Sequence, residues 1–254
     1  PLIAAPLCLL LSRRSIVWAV AFLGSAASFV VAVLLLVRVL EEDIVSYNFG
    51  GWAAPWGIEY RVDVVNAFVL IIVTAISTLV LFFARQSVRQ EVEGKKQPLF
   101  YSAWLLCLTG LTGIAITGDA FNLFVFLEIS SLSSYVLIAF GKDRRALTAS
   151  YQYLVMGTIG ATFILIGVGL LYMMTGTLNL ADLSARLPAV SATRTVQTAL
   201  AFLVVGIGLK LALFPLHLWL PNAYAFAPSA VTAFFAATAT KVAVYVLLRF
   251  LFTV

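Results

Sequence analysis

The sequence predicts an all-α polytopic membrane protein, a bundle of about eight transmembrane helices with the first truncated and the seventh broken at proline. Three observations predict it. The 254 residues are 63% hydrophobic and 11% charged, with a mean hydropathy of +1.06, a composition far outside the soluble range. The apolar runs are long and continuous and lack the period-2 alternation of a barrel; helices and closed barrels are the two ways to satisfy a backbone in lipid. Basic residues fall mainly in short loops on alternate sides of those runs, as the positive-inside rule requires, and not in a stripe, so the pI of 9.4 points to membrane topology and not to nucleic acid.

In chain order, Pro1–Leu11 is apolar but short for a span. It opens without Met and is followed, not preceded, by Arg13-Arg14, which predicts a trimmed first helix and no secretory leader. The second span runs from about Ile16 to Leu40. An acidic, aromatic connection from Glu41 to Asp63 follows, with Gly50-Gly51, Pro55 and Gly57 as turn signals and Tyr47, Trp52, Trp56 and Tyr60 as interface anchors. The third span is about Val64–Phe83, and a charged connection from Arg85 to Gln97 leads into the fourth, about Pro98–Thr117. Gly118-Asp119 turns directly into the fifth, which ends at Gly141 before Lys142-Asp143-Arg144-Arg145.

The sixth span covers about Ala146–Met174, and its Gly157, Gly160, Ala161, Gly167 and Gly169 allow close helix contact. Residues 176–194 form a connection in which Leu180, Leu183 and Leu187 either make one short amphipathic turn or belong to an ordinary loop. The seventh segment begins near Thr195 and meets Pro215 and Pro221; the eighth starts near Ser229. Lys and Arg concentrate after spans one, three and five and are sparse after spans two, four and six, which predicts that the former loops are cytoplasmic and the N-terminus outside. Arg38 and Arg249 sit at outer helix ends, where they can snorkel.

Four ionisable residues remain inside spans: Glu128, Lys210, His217 and Lys241. A carboxylate or ammonium at that depth is costly unless it faces protein, water or a partner charge, and such groups mark ion pathways by default; the alternative is a static pair that fixes helix packing. Ser131 and Tyr135 follow Glu128 at i+3 and i+7, with Ser134 close by, a polar stripe that can hold a short water file or simply help helices pack. Pro215 lacks a backbone donor and clashes with the preceding turn, so the helix is expected to break just after Lys210, with Pro221 a second breaking residue. His217 falls near that break as either a relay or a structural histidine. Moving Glu128 towards or away from Lys210 would load or release a proton on the lysine, and Lys241 is the onward acceptor.

Two cysteines, Cys8 and Cys107, lie far apart in apolar runs and form no CxxC or CxxH pattern. With one histidine in the chain, they argue against an iron–sulfur cluster, a bis-His haem or a metal site. No cofactor is expected.

The run TGDAFNLFVFLE, the later MTGTLNLADL, and the stretch GLK…FPLHLWLPNAY…KVAVYVLLR together resemble the antiporter-like subunits of the complex I superfamily, most closely the D-type component of Mrp-type multi-subunit Na⁺/H⁺ antiporters. The resemblance implies roles for Glu128, Lys210 and Lys241 in proton transfer, with His217 at a position where some members carry histidine. The family's WLPDAH pattern stands here as Trp219-Leu220-Pro221-Asn222-Ala223-Tyr224, and the loss of its Asp and His points away from the respiratory type and towards the antiporter type.

The resemblance also implies residues 1–97 as helices one to three with an outer loop at 41–63, and residues 98–254 as the first of two inverted five-helix repeats, the second being absent. It implies a non-enzymatic transport subunit in a bacterial-type plasma (inner) membrane, with other membrane subunits as partners and protons and Na⁺ or another monovalent cation as cargo. The alternatives are a proton-pumping subunit of a complex I-like or membrane-bound hydrogenase complex, without a redox centre of its own, and a non-conducting scaffold.

Overall fold

A helix buries its own backbone polar groups, and in lipid that requirement outweighs side-chain preference. The computed structural model describes residues 1–11 and 13–253, and its elements are almost all helices. In order they are α1 Ala4–Leu10, α2 Arg14–Glu42, α3 Val64–Glu91, α4 Gln97–Ile116, α5 Ala120–Ala139, α6 Arg145–Thr175, α7 Leu180–Val190, α8 Arg194–Leu211, α9 Trp219–Phe226, α10 Ser229–Ala237 and α11 Ala239–Leu248. Among the described residues, seven helical stretches, with α10 and α11 taken as one, are long and apolar enough to cross a membrane. With the short α1 in front, this is the expected bundle.

Helix α4 is the centre. Phe100, Trp104, Leu105 and Leu108 on it are fully buried. It packs against α1, α2, α3 and α5. Association in lipid rests on close packing and interhelical hydrogen bonds, because lipid tails are as apolar as leucine. Both devices are present. Trp104 Nε1 and Ser25 Oγ each donate to Ser77 Oγ at 3.0 Å, tying α2, α3 and α4 together. A Cβ on Gly110 would lie 2.5 Å from the Ser130 nitrogen, so α4 and α5 touch backbone to backbone. A Cβ on Gly206 would lie 2.6 Å from the Gly160 carbonyl, which sets the same close approach between α6 and α8. Gly169, grouped with the packing glycines on sequence, faces open space instead.

The connection after α2 is more ordered than an aromatic loop. It forms an antiparallel hairpin of β1 Val45–Asn48 and β2 Glu59–Val62, with Tyr47 opposite Tyr60. The hairpin edge pairs onward: Gly118 N donates to the Glu59 carbonyl at 2.8 Å, and Asp119 bridges to Asn179. Glu59 is buried there because Ser46 Oγ donates to it at 2.6 Å and Asn179 Nδ2 at 2.8 Å. Asp119 caps α5, accepting from Asn122 N at 2.6 Å, and Asn179 caps α7 through Ala181 N and Asp182 N. The segment with Leu180, Leu183 and Leu187 is thus a full amphipathic helix, those three leucines buried beneath it.

The expected break in the seventh span is present. Helix α8 ends at Leu211, four residues before Pro215, where the ring of a continuing helix would strike the Leu211 carbonyl. Ala212 takes a left-handed conformation (φ 58°) and the chain resumes as α9 at Trp219. Pro221 does not take part in the break. It lies in the first turn of α9, where a missing N–H costs nothing.

Candidate proton-transfer site

Glu128 and Ser131 are three residues apart on α5 and share a face. Lys210 lies in the last turn of α8, one residue before the break. The fold brings them together. Lys210 Nζ donates to Ser131 Oγ at 2.6 Å and stands 3.5 Å from Glu128 Oε1. The lysine side chain is 5% exposed and the glutamate 27%. Helix α6, packed on both α5 and α8, holds the two at this separation through its glycines. The C-terminal end of α8 also carries partial negative charge from unpaired carbonyls, which favours an ammonium in its last turn.

The pair is loosely closed. At 3.5 Å the ammonium and carboxylate attract but do not share a short hydrogen bond, and Glu128 Oε1 is buried without a hydrogen-bond donor. The carboxylate oxygen and the nearby Tyr135 hydroxyl are both buried polar atoms with no partner among the described residues. Such an arrangement suits groups that exchange a proton, or that hold water between them.

The other sequence candidates separate from this centre to different degrees. Ser134 turns towards α4: its hydroxyl donates to the Ser130 carbonyl at 2.7 Å and lies 3.6 Å from Cys107 Sγ. Tyr135 fits against Gly157 of α6, where any Cβ would lie 2.0 Å from its hydroxyl. His217 sits inside the break with its Nδ1 buried and without a hydrogen-bond partner among the described residues, and its ring lies 5.6 Å from that of Phe214.

Lys241 is exposed on α11, a helix that packs against α8. Its ammonium is bonded to the Ala236 carbonyl and lies 3.3 Å from Thr240 Oγ1. Among the described residues, no hydrogen bond or ion pair joins it to Lys210 or His217.

Lys241 reaches a carbonyl because of an interruption that the sequence does not announce. The eighth span is also interrupted, at Thr238 between α10 and α11, and the hydroxyl of this fully buried threonine donates to the Phe234 carbonyl at 2.7 Å. Such back-bonding bends helices. The only sequence signal was a threonine pair before the lysine.

Arg249 is a correction. It does not snorkel but donates to Asp63 Oδ2 at 2.5 Å, to Asn66 Oδ1, and to the Tyr245 hydroxyl at 3.0 Å. A mid-length apolar helix gave no hint that an aspartate on the α3 cap, far away in sequence, lies opposite its end. Arg38, by contrast, pairs with Glu42 on the surface.

Comparisons with known proteins identify the family. The family described as NADH:quinone oxidoreductase/Mrp antiporter, TM, matches residues 117–254. NADH-quinone oxidoreductase subunit N of Desulforudis audaxviator (strain MP104C) is 44% identical over 257 residues, covering 100% of this chain and 51% of that protein. A D-type component of the Na(+)/H(+) antiporter of Bacillus subtilis (strain 168) is 32% identical over 250 residues, covering 98% of this chain and 50% of that protein. Among solved structures, a chain of the membrane-bound sulfane sulfur reductase, an archaeal respiratory membrane complex, superposes with a TM-score of 0.92 at 34% identity, covering 98% of this chain and 51% of that one. The chain thus spans about half the length of the relatives it matches. It is a multi-pass membrane protein and belongs to the NADH:quinone oxidoreductase/Mrp antiporter family.

Proposed function

We propose that the chain is part of a proton-translocating subunit of a multi-subunit monovalent cation/proton antiporter, with Na⁺ as the expected cation. Glu128 and Lys210 form the proton-loading pair. The observation that carries the reading is the Lys210 ammonium, buried one residue from a helix break, 2.6 Å from Ser131 Oγ and 3.5 Å from a carboxylate oxygen that has no donor. When Glu128 is charged and close, it stabilises the ammonium; when it is protonated or withdrawn, burial of Lys210 favours release of its proton. Ser131 holds the lysine in reach, Tyr135 and Ser134 flank the path, His217 in the break is a relay, and Lys241 is the onward site. The break between α8 and α9 supplies the element such a step needs, as broken helices do in membrane transporters.

The test is cation-dependent proton movement in vesicles carrying the full-length protein with its partner subunits. Glu128→Gln and Lys210→Ala should each abolish it while the complex still assembles. Transport at the wild-type rate in either variant sinks the reading and favours a scaffold role.

A second reading has a specific observation behind it: a relative at 44% identity is named as a subunit of an NADH-quinone oxidoreductase. In that case the same pair would pump protons within a redox complex. Co-purification decides, since flavin- or iron–sulfur-containing partners would assign the redox complex and their absence the antiporter.

The orientation proposed is N-terminus outside, in a bacterial-type plasma membrane, with the β1–β2 hairpin on the outer face. Trp56, at the exposed tip of that hairpin, gives the check. A Trp56→Cys variant should react with an impermeant thiol reagent in intact cells; reaction in inverted vesicles alone would reverse the orientation.

A further inference from the structure

We infer that Trp219 is a positioning residue that sets the geometry of Lys210 from the far side of the helix break. The inference rests on the reading of Glu128 and Lys210 as the proton-loading pair. Its own support is a set of contacts that the pair does not use. In an unbroken helix the Leu209 carbonyl would accept from Leu213 N. Here Leu213 N donates instead to the Gly208 carbonyl at 2.9 Å, and the turn leaves Leu209 O with a long 3.3 Å contact from Ala212 N. Trp219 Nε1 takes that carbonyl at 2.9 Å. The bonded carbonyl belongs to the residue immediately before Lys210, so the indole pins the end of α8 beside the lysine.

The indole is itself held. Its ring stacks on Tyr153 of α6 with centroids 3.9 Å apart and planes 5° apart. Tyr153 in turn stands edge to face on Tyr135 of α5, at 4.8 Å and 87°. All three rings are buried. Tyr135 lies one turn beyond Ser131 on the helix that carries Glu128, and its carbonyl accepts from Ser150 Oγ of α6 at 2.7 Å. The result is a closed circuit. Helix α5 presents Glu128 and Ser131 to Lys210 directly, and through Tyr135, Tyr153 and Trp219 it also fixes the carbonyl next to Lys210. Aromatic stacks of this kind are stiff and add attraction beyond the area they bury. Without the indole N–H, a carbonyl at membrane depth loses its good donor, and the last turn of α8 is free to fray with Lys210 on it.

The experiment uses the full-length protein in its assembled complex and compares Trp219→Phe with the wild type. Phenylalanine keeps a ring on Tyr153 and removes only the donor. Two readouts are taken: the maximal transport rate per molecule with the half-saturating cation concentration, and hydrogen exchange of amides within residues 209–218.

The expected result is normal assembly, faster exchange in 209–218, and a maximal rate lowered about tenfold, the scale of one lost hydrogen bond, with half-saturation unchanged. Unchanged exchange overturns the inference whatever happens to transport. Faster exchange with a wild-type maximal rate also overturns it, because Lys210 would then not depend on the anchored carbonyl. Failure of the underlying reading shows separately, as wild-type transport by Glu128→Gln. Should Trp219→Phe not assemble, Tyr153→Leu, which removes the ring beneath the indole, is put through the same two measurements with the same expected directions.

Discussion

Among the described residues, two carboxylate–cation pairs join distant parts of the chain, and they are built in opposite ways. Asp63 and Arg249 approach to 2.5 Å. Asp63 also caps α3, accepting from Asn66 N at 3.0 Å, while Arg249 has Asn66 Oδ1 and the Tyr245 hydroxyl as further acceptors. Asn66 Nδ2 donates to the Ala115 carbonyl at 2.6 Å, and the Tyr245 hydroxyl donates to the same carbonyl at 3.2 Å. The cluster ties α3, α4 and α11 at one end of the bundle. Glu128 and Lys210 stand at 3.5 Å, with one carboxylate oxygen lacking a donor and the lysine bonded to a single serine hydroxyl. A network whose members are all satisfied rigidifies what it joins; one left partly open keeps its members able to change partner or protonation state. The first pair therefore has the build of a rivet and the second the build the proposed proton-loading step needs, although both are opposite charges at least partly withdrawn from the surface.

The largest effect that would break this contrast is on transport. Lys210→Ala and Glu128→Gln should each lower cation-coupled proton movement at least about a hundredfold, more than one tenfold step of 1.36 kcal/mol, while detergent-solubilised protein keeps its thermal midpoint within a few degrees. A large drop in midpoint with transport retained would exchange the roles assigned to the two pairs.

Next is stability at the other pair. Asp63→Ala removes the α3 cap and strands a half-buried guanidinium, so it should cost about 2–4 kcal/mol, near the scale for breaking a buried pair, and lower the midpoint of thermal unfolding clearly. The transport rate of the molecules that remain folded should stay near wild type.

Smaller again is Ser131→Ala, which leaves Lys210 to Glu128 alone and should slow transport about three- to tenfold, the scale of about 1 kcal/mol for one hydrogen bond. Ser134→Ala, whose hydroxyl faces the Ser130 carbonyl and Cys107, should change the rate less than twofold, on the order of half a kcal/mol or less. Equal effects from the two serines would show that the hydroxyl stripe, not the contact to Lys210, matters.

The smallest effect is at an exposed pair. Hydrogen bonds from Arg145 hold the Asp143 carboxyl below its usual range. A carboxyl lowered in the folded state adds stability above its ordinary pKa, and that contribution fades as pH falls through the lowered value. That contribution is fully present from about pH 6 to 8, but the pair is open to water and screened, so Asp143→Asn should leave thermal unfolding unchanged within error across that range. A measurable shift would mean that surface pairs contribute to this fold as the buried ones do.

Much of the site was legible because a membrane makes charge conspicuous. Glu128 and Lys210 are exceptional by position alone, and Pro215 announces the break by removing a donor. The interruption at Thr238 was not legible, since a threonine bends a helix only when its hydroxyl turns onto the chain behind it. Nor was the β1–β2 hairpin: its strands are short and half polar, and they are held by Gly118 and Asn179, which arrive from elsewhere in the chain. Trp219 stands in the WLPNAY motif of the sequence, but its bond to the Leu209 carbonyl depends on a turn that only the fold supplies.

Composition and the spacing of apolar runs by themselves determined the helical bundle, its spans and the break after Lys210, because backbone satisfaction in lipid is a local demand that each segment meets within itself. Which helices touch is not local. The meeting of α5 with α8 depends on glycines of α6 that set approach distances, on aromatic rings stacked across three helices, and on the caps at Asp119 and Thr193 that fix where α5 and α8 begin. Only the tertiary structure decided that Glu128 faces Lys210 at 3.5 Å, that Arg249 is riveted to Asp63, and that Lys241 lies exposed on α11. Those outcomes come from side-chain packing between segments, which no single segment encodes.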